Sequence, residues 1–280
     1  MHDEKRKKRR WNPPTIAYMI LLHTAALGSL FLPIHWYYIP ISIGIYLFMG
    51  FGITVGYHRL ITHRSFSCPK WLEYFFATGA AVAGQGSPLL WVATHRIHHG
   101  RSDLEGDIHS PRKGFWYSHM GWVCDRAACD PQAWRKYCKD IADDRYYHFL
   151  LKYRMLPQAV VIAGIGLTLG PEAIPFVFCL TLVIMMHATF SVNSICHLPR
   201  FGSRLFETKD RSRNVLGVGI MALGEGWHNN HHAMPRSVKH GIGRGQLDLS
   251  YLLIRGLARL GLAWDLHMPE LHQDRISKVA

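Results

Sequence analysis

The sequence predicts an all-α integral membrane protein: four transmembrane helices carrying a polar helical cap on one side of the bilayer. Three observations carry that expectation. Charge is segregated, histidines are clustered, and the cationic segments fall between alternate apolar stretches. Of 280 residues, 49% are hydrophobic and 18% charged, with a mean hydropathy of +0.00. That average hides long uncharged runs beside segments dense in Lys, Arg, Asp, Glu and His, the pattern of membrane spans joined to a polar lobe.

Residues 11–33 and 34–57 contain no Asp, Glu, Lys or Arg. A hydrocarbon core of ~30 Å needs about 20 helical residues, so each stretch is long enough to cross. They read as a helical hairpin turning near Pro33–Trp36, with Trp36, Tyr37 and Tyr38 at an interfacial aromatic belt. The basic run Lys5–Arg10 and the apolar stretch after it resemble a signal peptide, but Leu32-Pro33 is no small-residue cleavage site. The first span is therefore read as retained, behind a basic cytosolic tail at 1–10. Residues 71–94 form an apolar stretch rich in Gly and Ala and broken by Pro88. It reads as a re-entrant or interfacial segment that returns to its starting side. Residues 155–171 and 173–196 give the third and fourth spans. Segments 95–154 and 197–280 form the cap of what reads as one domain over 1–280.

With four spans, the outer turns near residues 34 and 172 hold one charge, Glu172, so all 32 Lys and Arg residues fall on the other side. This is the positive-inside pattern. It explains the formal charge of +13 and places both termini in the cytoplasm. No groove-reading or base-stacking motif accompanies the charge, so nucleic acid is not an expected partner. The six cysteines at 68, 124, 129, 138, 179 and 196 contain no C-x-x-C pair and read as reduced thiols rather than nucleophiles or a disulfide framework.

Nineteen histidines are present, and their placement is more informative than their number. Three boxes stand out: His58 and His63; His95, His98 and His99; His228, His231 and His232. Positions i, i+3 and i+4 share a helix face, yet the i+3 and i+4 rings diverge slightly from the i ring. One H-x-x-H-H helix can then serve two neighbouring metal ions. The five-residue spacing of His58 and His63 does not suit one face of a regular helix and reads as a pair at a helix end. Eight clustered histidines are twice the four ligands of a closed zinc site, and no cysteine sits among them, so two ions are expected. Imidazole accepts Fe, Zn, Cu or Ni, and the spacing does not choose between them. Asn193 and His197 add an i, i+4 pair at the end of the fourth span, with His197 as a ninth ligand and Asn193 as a weak or water-mediated one. His109, His119 and His240 are candidates for hydrogen-bond support. His2, His23, His35, His148, His187, His267 and His272 read as structural or surface residues.

The stretches GYHRLITHRSF (56–66), WVATHRIHHGRSD (91–103), SVNSICH (191–197) and GEGWHNNHHAMP (224–235) resemble the membrane fatty-acid desaturase superfamily. They are most similar to its Δ9 acyl-lipid and acyl-CoA branch and to bacterial members. The resemblance runs from Trp11 to Trp264. It implies a four-helix membrane domain whose cytosolic cap holds a di-iron site. The implied ligands are His58, His63, His95, His98, His99, His197, His228, His231 and His232, with Asn193 acting through water. It implies O2 as co-substrate and a saturated C16–C18 acyl chain as the group desaturated, in the bacterial inner membrane. It places Gln85, Trp91 and Thr189 near the bend of an acyl tunnel, and Tyr46 and Gly50 at the tunnel's far end. One departure is visible: animal acyl-CoA desaturases have Arg-Asp contacting the CoA head group where this chain has Ala93-Thr94. That weakens CoA as the carrier and leaves phospholipid and acyl carrier protein open.

No G-x-G-x-x-G fingerprint, haem-binding HPGG or iron–sulfur cysteine spacing occurs, so electrons are expected from a separate ferredoxin or cytochrome b5. Hydroxylation, acetylenic-bond formation and oxidative decarboxylation are alternative outcomes on the same scaffold. A membrane metal transporter or store would need its polar ligands inside the spans, whereas the boxes lie outside them.

Overall fold

The computed structural model describes residues 10–126, 128 and 132–270. The basic tail at 1–9, Cys129 and the last ten residues, with His2 and His272, lie outside these. Among the described residues there is no strand; extended pairing is limited to isolated bridges such as Ser67 with Trp264.

Helix α1 (Pro13–Gly28) starts on two prolines, whose missing N–H groups cost nothing in a first turn. A short 3₁₀ turn extends it to Phe31. Helix α2 (Tyr38–Phe51) runs without a break into a π-helix over Gly52–Thr62. Helix α3 (Lys70–Val82) packs against both parts of that long helix. The chain then breaks at Gly84 and Gly86, both with positive φ, a conformation open to glycine because it lacks Cβ. Helix α4 (Pro88–Arg101) follows, capped by Ser87, whose Oγ accepts the Leu89 N–H. The apolar stretch at 71–94 is thus two helices, and the second box sits on the latter.

Beyond it lie α5 (Phe115–His119), α6 (Arg145–Lys152), α7 (Leu156–Leu169) and α8 (Thr181–Ser194), the last preceded by a π-helical turn over Pro175–Leu180. Three short helices complete the polar part: α9 (Leu216–Met221), α10 (His228–Ala233) and α11 (Leu249–Arg259).

Among the described residues, three helical runs are long and apolar enough to cross a membrane: Pro13–Phe31, Tyr38–Thr62 and Pro171–His197. A fourth is reached if α6 and α7, bent by 69°, count as one span. The run at 34–57 therefore reaches further than expected, to Thr62, carrying the first box on its end. Exposed Leu21, Leu27, Phe31 and Leu167 put large apolar side chains on the outer face of these helices, as lipid contact requires.

Small residues bring the π-helix and α3 together. Gly52 and Gly56 form a G-x-x-x-G pair facing Phe76–Ala80; a Cβ on Gly52 would fall 2.2 Å from the Ala80 nitrogen. Close backbone approach at such pairs is how apolar helices associate where burial from water supplies no drive.

A different device ties α1 to α8. His23 Nε2 lies 3.1 Å from His187 Nε2, His187 Nδ1 lies 2.9 Å from His119 Nε2, and His119 Nδ1 lies 2.9 Å from Ser194 Oγ. His23 Nδ1 donates to the Met19 carbonyl. With one proton on each ring, that makes His187 the donor to His23 and His119 the donor to His187, while the Ser194 hydroxyl, within reach of His119 Nδ1, donates to the Phe190 carbonyl. His119, expected beside the metal ligands, serves this clamp instead, and His23 and His187 have a structural role as read.

Candidate metal centre

The first box sits on the π-helix. His63 N–H donates to the His58 carbonyl at 3.1 Å, closing an i→i+5 ring. A helix widened in this way takes an extra residue per turn, so the fifth residue returns over the first. The two rings accordingly face each other with centroids 4.9 Å apart. The pair stands at a helix end, as expected, with His63 as the cap residue, and the π geometry is what brings its ring back over His58.

The other two boxes exchange roles. His58, His63, His95, His99 and His231 can each aim one nitrogen into a common space, all within 4.8 Å of one another, and His98, His197, His228 and His232 do the same in a second group. On α4, the i and i+4 residues His95 and His99 serve the first group and the i+3 residue His98 serves the second. On α10, His228 and His232 serve the second group and the i+3 residue His231 serves the first. The divergence read from the spacing is present, and it is the i+3 ring that crosses over.

The donor sets fit metal ions. Two nitrogens bound at right angles and about 2.1 Å from one ion stand about 3.0 Å apart. Nε2–Nε2 separations are 3.1 Å for His58–His231, 3.0 Å for His63–His95, 3.0 Å for His95–His99, 2.9 Å for His99–His231 and 3.0 Å for His197–His228. His58 Nδ1 lies 2.6 Å from Glu225 and His197 Nδ1 2.9 Å from Asp103. A carboxylate can only accept, so those Nδ1 atoms carry the proton and their Nε2 atoms present lone pairs. The Nε2 atoms of His98 and His232 are buried with no protein partner. Burial pushes the imidazoles of His63, His95, His98, His99, His228 and His231 well below their usual pKa, so they are neutral at pH 7 and free to bind a cation.

Carboxylates orient the rings from behind. His98 Nδ1 meets Asp107 at 3.0 Å and His232 Nδ1 meets Asp210 at 2.7 Å. Burial tends to raise the Asp210 carboxyl, yet hydrogen bonds from His232 and Ser212 hold it far below the usual range. None of Asp103, Asp107, Asp210 or Glu225 was singled out by the sequence reading. Asp103 lies 94 positions from His197, so no spacing rule connects them. The signal available was weaker: an acidic residue within a few positions of a box.

The short α10 is locked by its own asparagines. Asn214 Oδ1 accepts from the Asn229 and Asn230 N–H groups, and Asn230 Nδ2 donates to the His240 carbonyl. A six-residue helix is marginal by itself; these buried bonds hold its histidines in place. His240 sits against His231, ring centroids 4.6 Å apart, and 3.5 Å from Glu225. His109 sits against His98 at 4.3 Å. Both lie beside a candidate ligand, but against its ring rather than hydrogen-bonded to it as expected.

Arg59 is fully buried between the centre and the cap, 3.1 Å from Asp248 and 3.4 Å from Glu225. Arg59→Met leaves two buried carboxylates without their cation, which costs about 3–5 kcal/mol for a broken buried pair. A clear drop in the thermal unfolding midpoint in detergent is expected; a midpoint equal to that of the unaltered chain refutes this account of Arg59.

The remaining expected residues separate into two places. Trp91 lies parallel to His95, centroids 4.9 Å apart at 16°, and its Nε1–H donates to Gln85 Oε1 at 3.0 Å. Further along α2, the Tyr46 hydroxyl donates to the Met221 carbonyl. A Cβ on Gly50 would meet Leu223 and Met185, and the Thr189 hydroxyl donates to the Met185 carbonyl. Asn193 is half-buried one turn before His197 on α8. A surface cavity of about 550 Å³ opens over His63, His99 and His232.

Apolar helices long enough to cross a membrane, joined to a polar part that buries two neighbouring all-histidine pockets, define a membrane-type enzyme with the donor set for a two-metal centre. Comparison with known proteins narrows the class. Residues 34–242 match the family model for fatty acid desaturases. The chain is 39% identical to the sn-1 stearoyl-lipid 9-desaturase of Anabaena variabilis, over 91% of this chain and 94% of that one. It is 38% identical to the icosanoyl-CoA 5-desaturase of Limnanthes douglasii, over 94% and 75%. It is 38% identical to Delta-9 acyl-lipid desaturase 1 of Arabidopsis thaliana, over 86% and 78%. The chain belongs to the fatty acid desaturase family and is an acyl desaturase, an oxidoreductase.

Proposed function

We propose that this enzyme introduces a cis Δ9 double bond into a saturated C16–C18 chain held on a membrane lipid, using two iron ions bound by the nine histidines. The observation that carries the reading is the division of those histidines into five and four around adjacent spaces. The balance is –CH2–CH2– plus O2, two electrons and two protons, giving –CH=CH– and two water molecules. The iron pair, when bound, supplies the O2-dependent oxidising power that an unactivated methylene requires; the polypeptide supplies position. His58, His63, His95, His99 and His231 would hold one ion. His98, His197, His228 and His232 would hold the other, with Asn193 reaching it through water.

Trp91 and Gln85, beside His95, form the wall where the acyl chain bends past the centre. Thr189 lies on the wall opposite, and Tyr46 and Gly50 close the far end. A lipid carrier is favoured by the relatives with stearoyl-lipid and acyl-lipid names. It is also favoured by Ala93, which is fully buried on α4 and so presents nothing to a CoA head group. In this reading the bent α6–α7 pair is the third of four spans, and the centre lies on the cytoplasmic face of a bacterial inner membrane. Electrons arrive from a ferredoxin or cytochrome b5-type carrier.

The test is product analysis in a desaturase-deficient host. Expression of the chain is expected to yield a new cis-9 alkene on membrane lipids, and the purified enzyme to give the same product with one of the two carriers. A hydroxylated, alkynyl or chain-shortened product without an alkene overturns the reading.

A further inference from the structure

The two histidine groups receive very different support from carboxylates. In the four-histidine group, His98, His197 and His232 each donate Nδ1–H to a different carboxylate: Asp107 at 3.0 Å, Asp103 at 2.9 Å and Asp210 at 2.7 Å. Only His228 lacks one, and its Nδ1 is buried without a partner. In the five-histidine group the sole such carboxylate among the described residues is Glu225, on His58. Glu225 is moreover shared with Arg59 at 3.4 Å and His240 at 3.5 Å, so much of its charge is already balanced.

The three aspartates are built into place. Asp103 has φ +59, a left-handed conformation that costs energy outside glycine and persists where the surroundings enforce it. It is held there by its own N–H, which donates to Asp107 Oδ2, while its Oδ2 accepts the Arg211 N–H at 2.7 Å as well as His197. Asp210 Oδ1 accepts from the Ser212 N–H and the Thr208 hydroxyl, leaving Oδ2 to His232. Two loops far apart in sequence are thus fastened behind one group of ligands.

An imidazole that donates to a carboxylate becomes a more basic ligand through its other nitrogen, and loss of such a partner typically weakens metal binding about 10–100-fold. Taking the nine histidines as ligands, as in the function proposed above, we propose that the two metal sites are unequal by construction. The four-histidine site holds its ion more tightly and in a more electron-rich donor set, with Asp103, Asp107 and Asp210 as its positioning residues. The five-histidine site gives up its ion first.

The iron-loaded full-length enzyme in detergent tests this by graded chelator competition, with bound iron counted at each step, and by Mössbauer spectroscopy of protein grown on ⁵⁷Fe. Two release steps are expected, with two distinct quadrupole doublets of equal area. Asp103→Asn, Asp107→Asn and Asp210→Asn should each move the late step towards the early one by about 10–100-fold and shift one doublet only. Glu225→Gln should act on the early step and the other doublet. A single release step with one doublet in the unaltered enzyme overturns the proposal even if no variant can be purified. So does an equal effect of the aspartate variants on both ions. Iron content unchanged by His98→Ala is a different failure: it removes the ligand assignment itself.

Discussion

Replacing His98 by alanine is expected to lower desaturation by more than about 100-fold and to remove at least one iron per chain. His98 brings the second box to the four-histidine group: its buried Nε2 has no protein partner, and its Nδ1 is fixed by Asp107. Losing it leaves three imidazoles for that ion. Changes one shell further out already cost about 10–100-fold, so loss of a direct ligand should exceed that. The substitution also opens a small void under His109, which an alanine tolerates better than a bulky residue. Fatty-acid profiling of a desaturase-deficient host, with iron per chain measured on the purified variant, reads both effects. Equal unsaturation from the variant and the unaltered chain sinks the site assignment.

The second large effect concerns assembly. Gly52→Val should prevent stable folding, because the first added carbon falls 2.2 Å from the Ala80 nitrogen and 2.5 Å from the Gly79 carbonyl carbon. Both are backbone atoms of α3 and cannot turn aside as a side chain can. Relief would require moving α3 off the helix that carries the first box, so both folding and metal content should suffer. Gly44→Ala is the control: a Cβ there meets nothing within 4 Å, and alanine is the better helix former by about 1 kcal/mol. Monodispersity in detergent separates the two. A Gly52→Val protein that is monodisperse and melts like the control contradicts this account of the contact between the π-helix and α3.

The sequence made some features legible because they are local. Helical boxes with three- and four-residue spacing are read without knowing the fold, and all nine histidines singled out meet in the two groups. Asn193 is not tied to them by any observed contact, and its role stays a proposal. Features set by distant pairing were not legible. The carboxylates behind the rings come from other segments, as Asp103 does for His197. Arg59, inside the quoted motif at 56–66, reads as one more cytoplasmic charge until its two buried partners are seen.

The π-helix itself was not legible, because spacing rules assume ordinary helix geometry; the His58–His63 pair does stand at a helix end, with His63 as the cap residue. Apolar length gave three spans clearly. The remaining one depends on the bend between α6 and α7, which no hydropathy pattern reveals. The histidines His23 and His187 carry no periodic signal, and their direct link, continued from His187 to His119, appears only when α1, α5 and α8 are assembled.

The exchange of i+3 rings between α4 and α10 has a consequence for the spacing of the two pockets. Among the nine histidines every donor is a one-ended nitrogen aimed at a single pocket, and none of the four carboxylates is placed between the pockets. Ions held in these pockets would share no protein ligand from this set. The gap is instead set by the rotation from one helical residue to the next, taken twice in opposite senses. Such a gauge is made of backbone hydrogen bonds, and it would set the spacing of whatever ions the pockets took up.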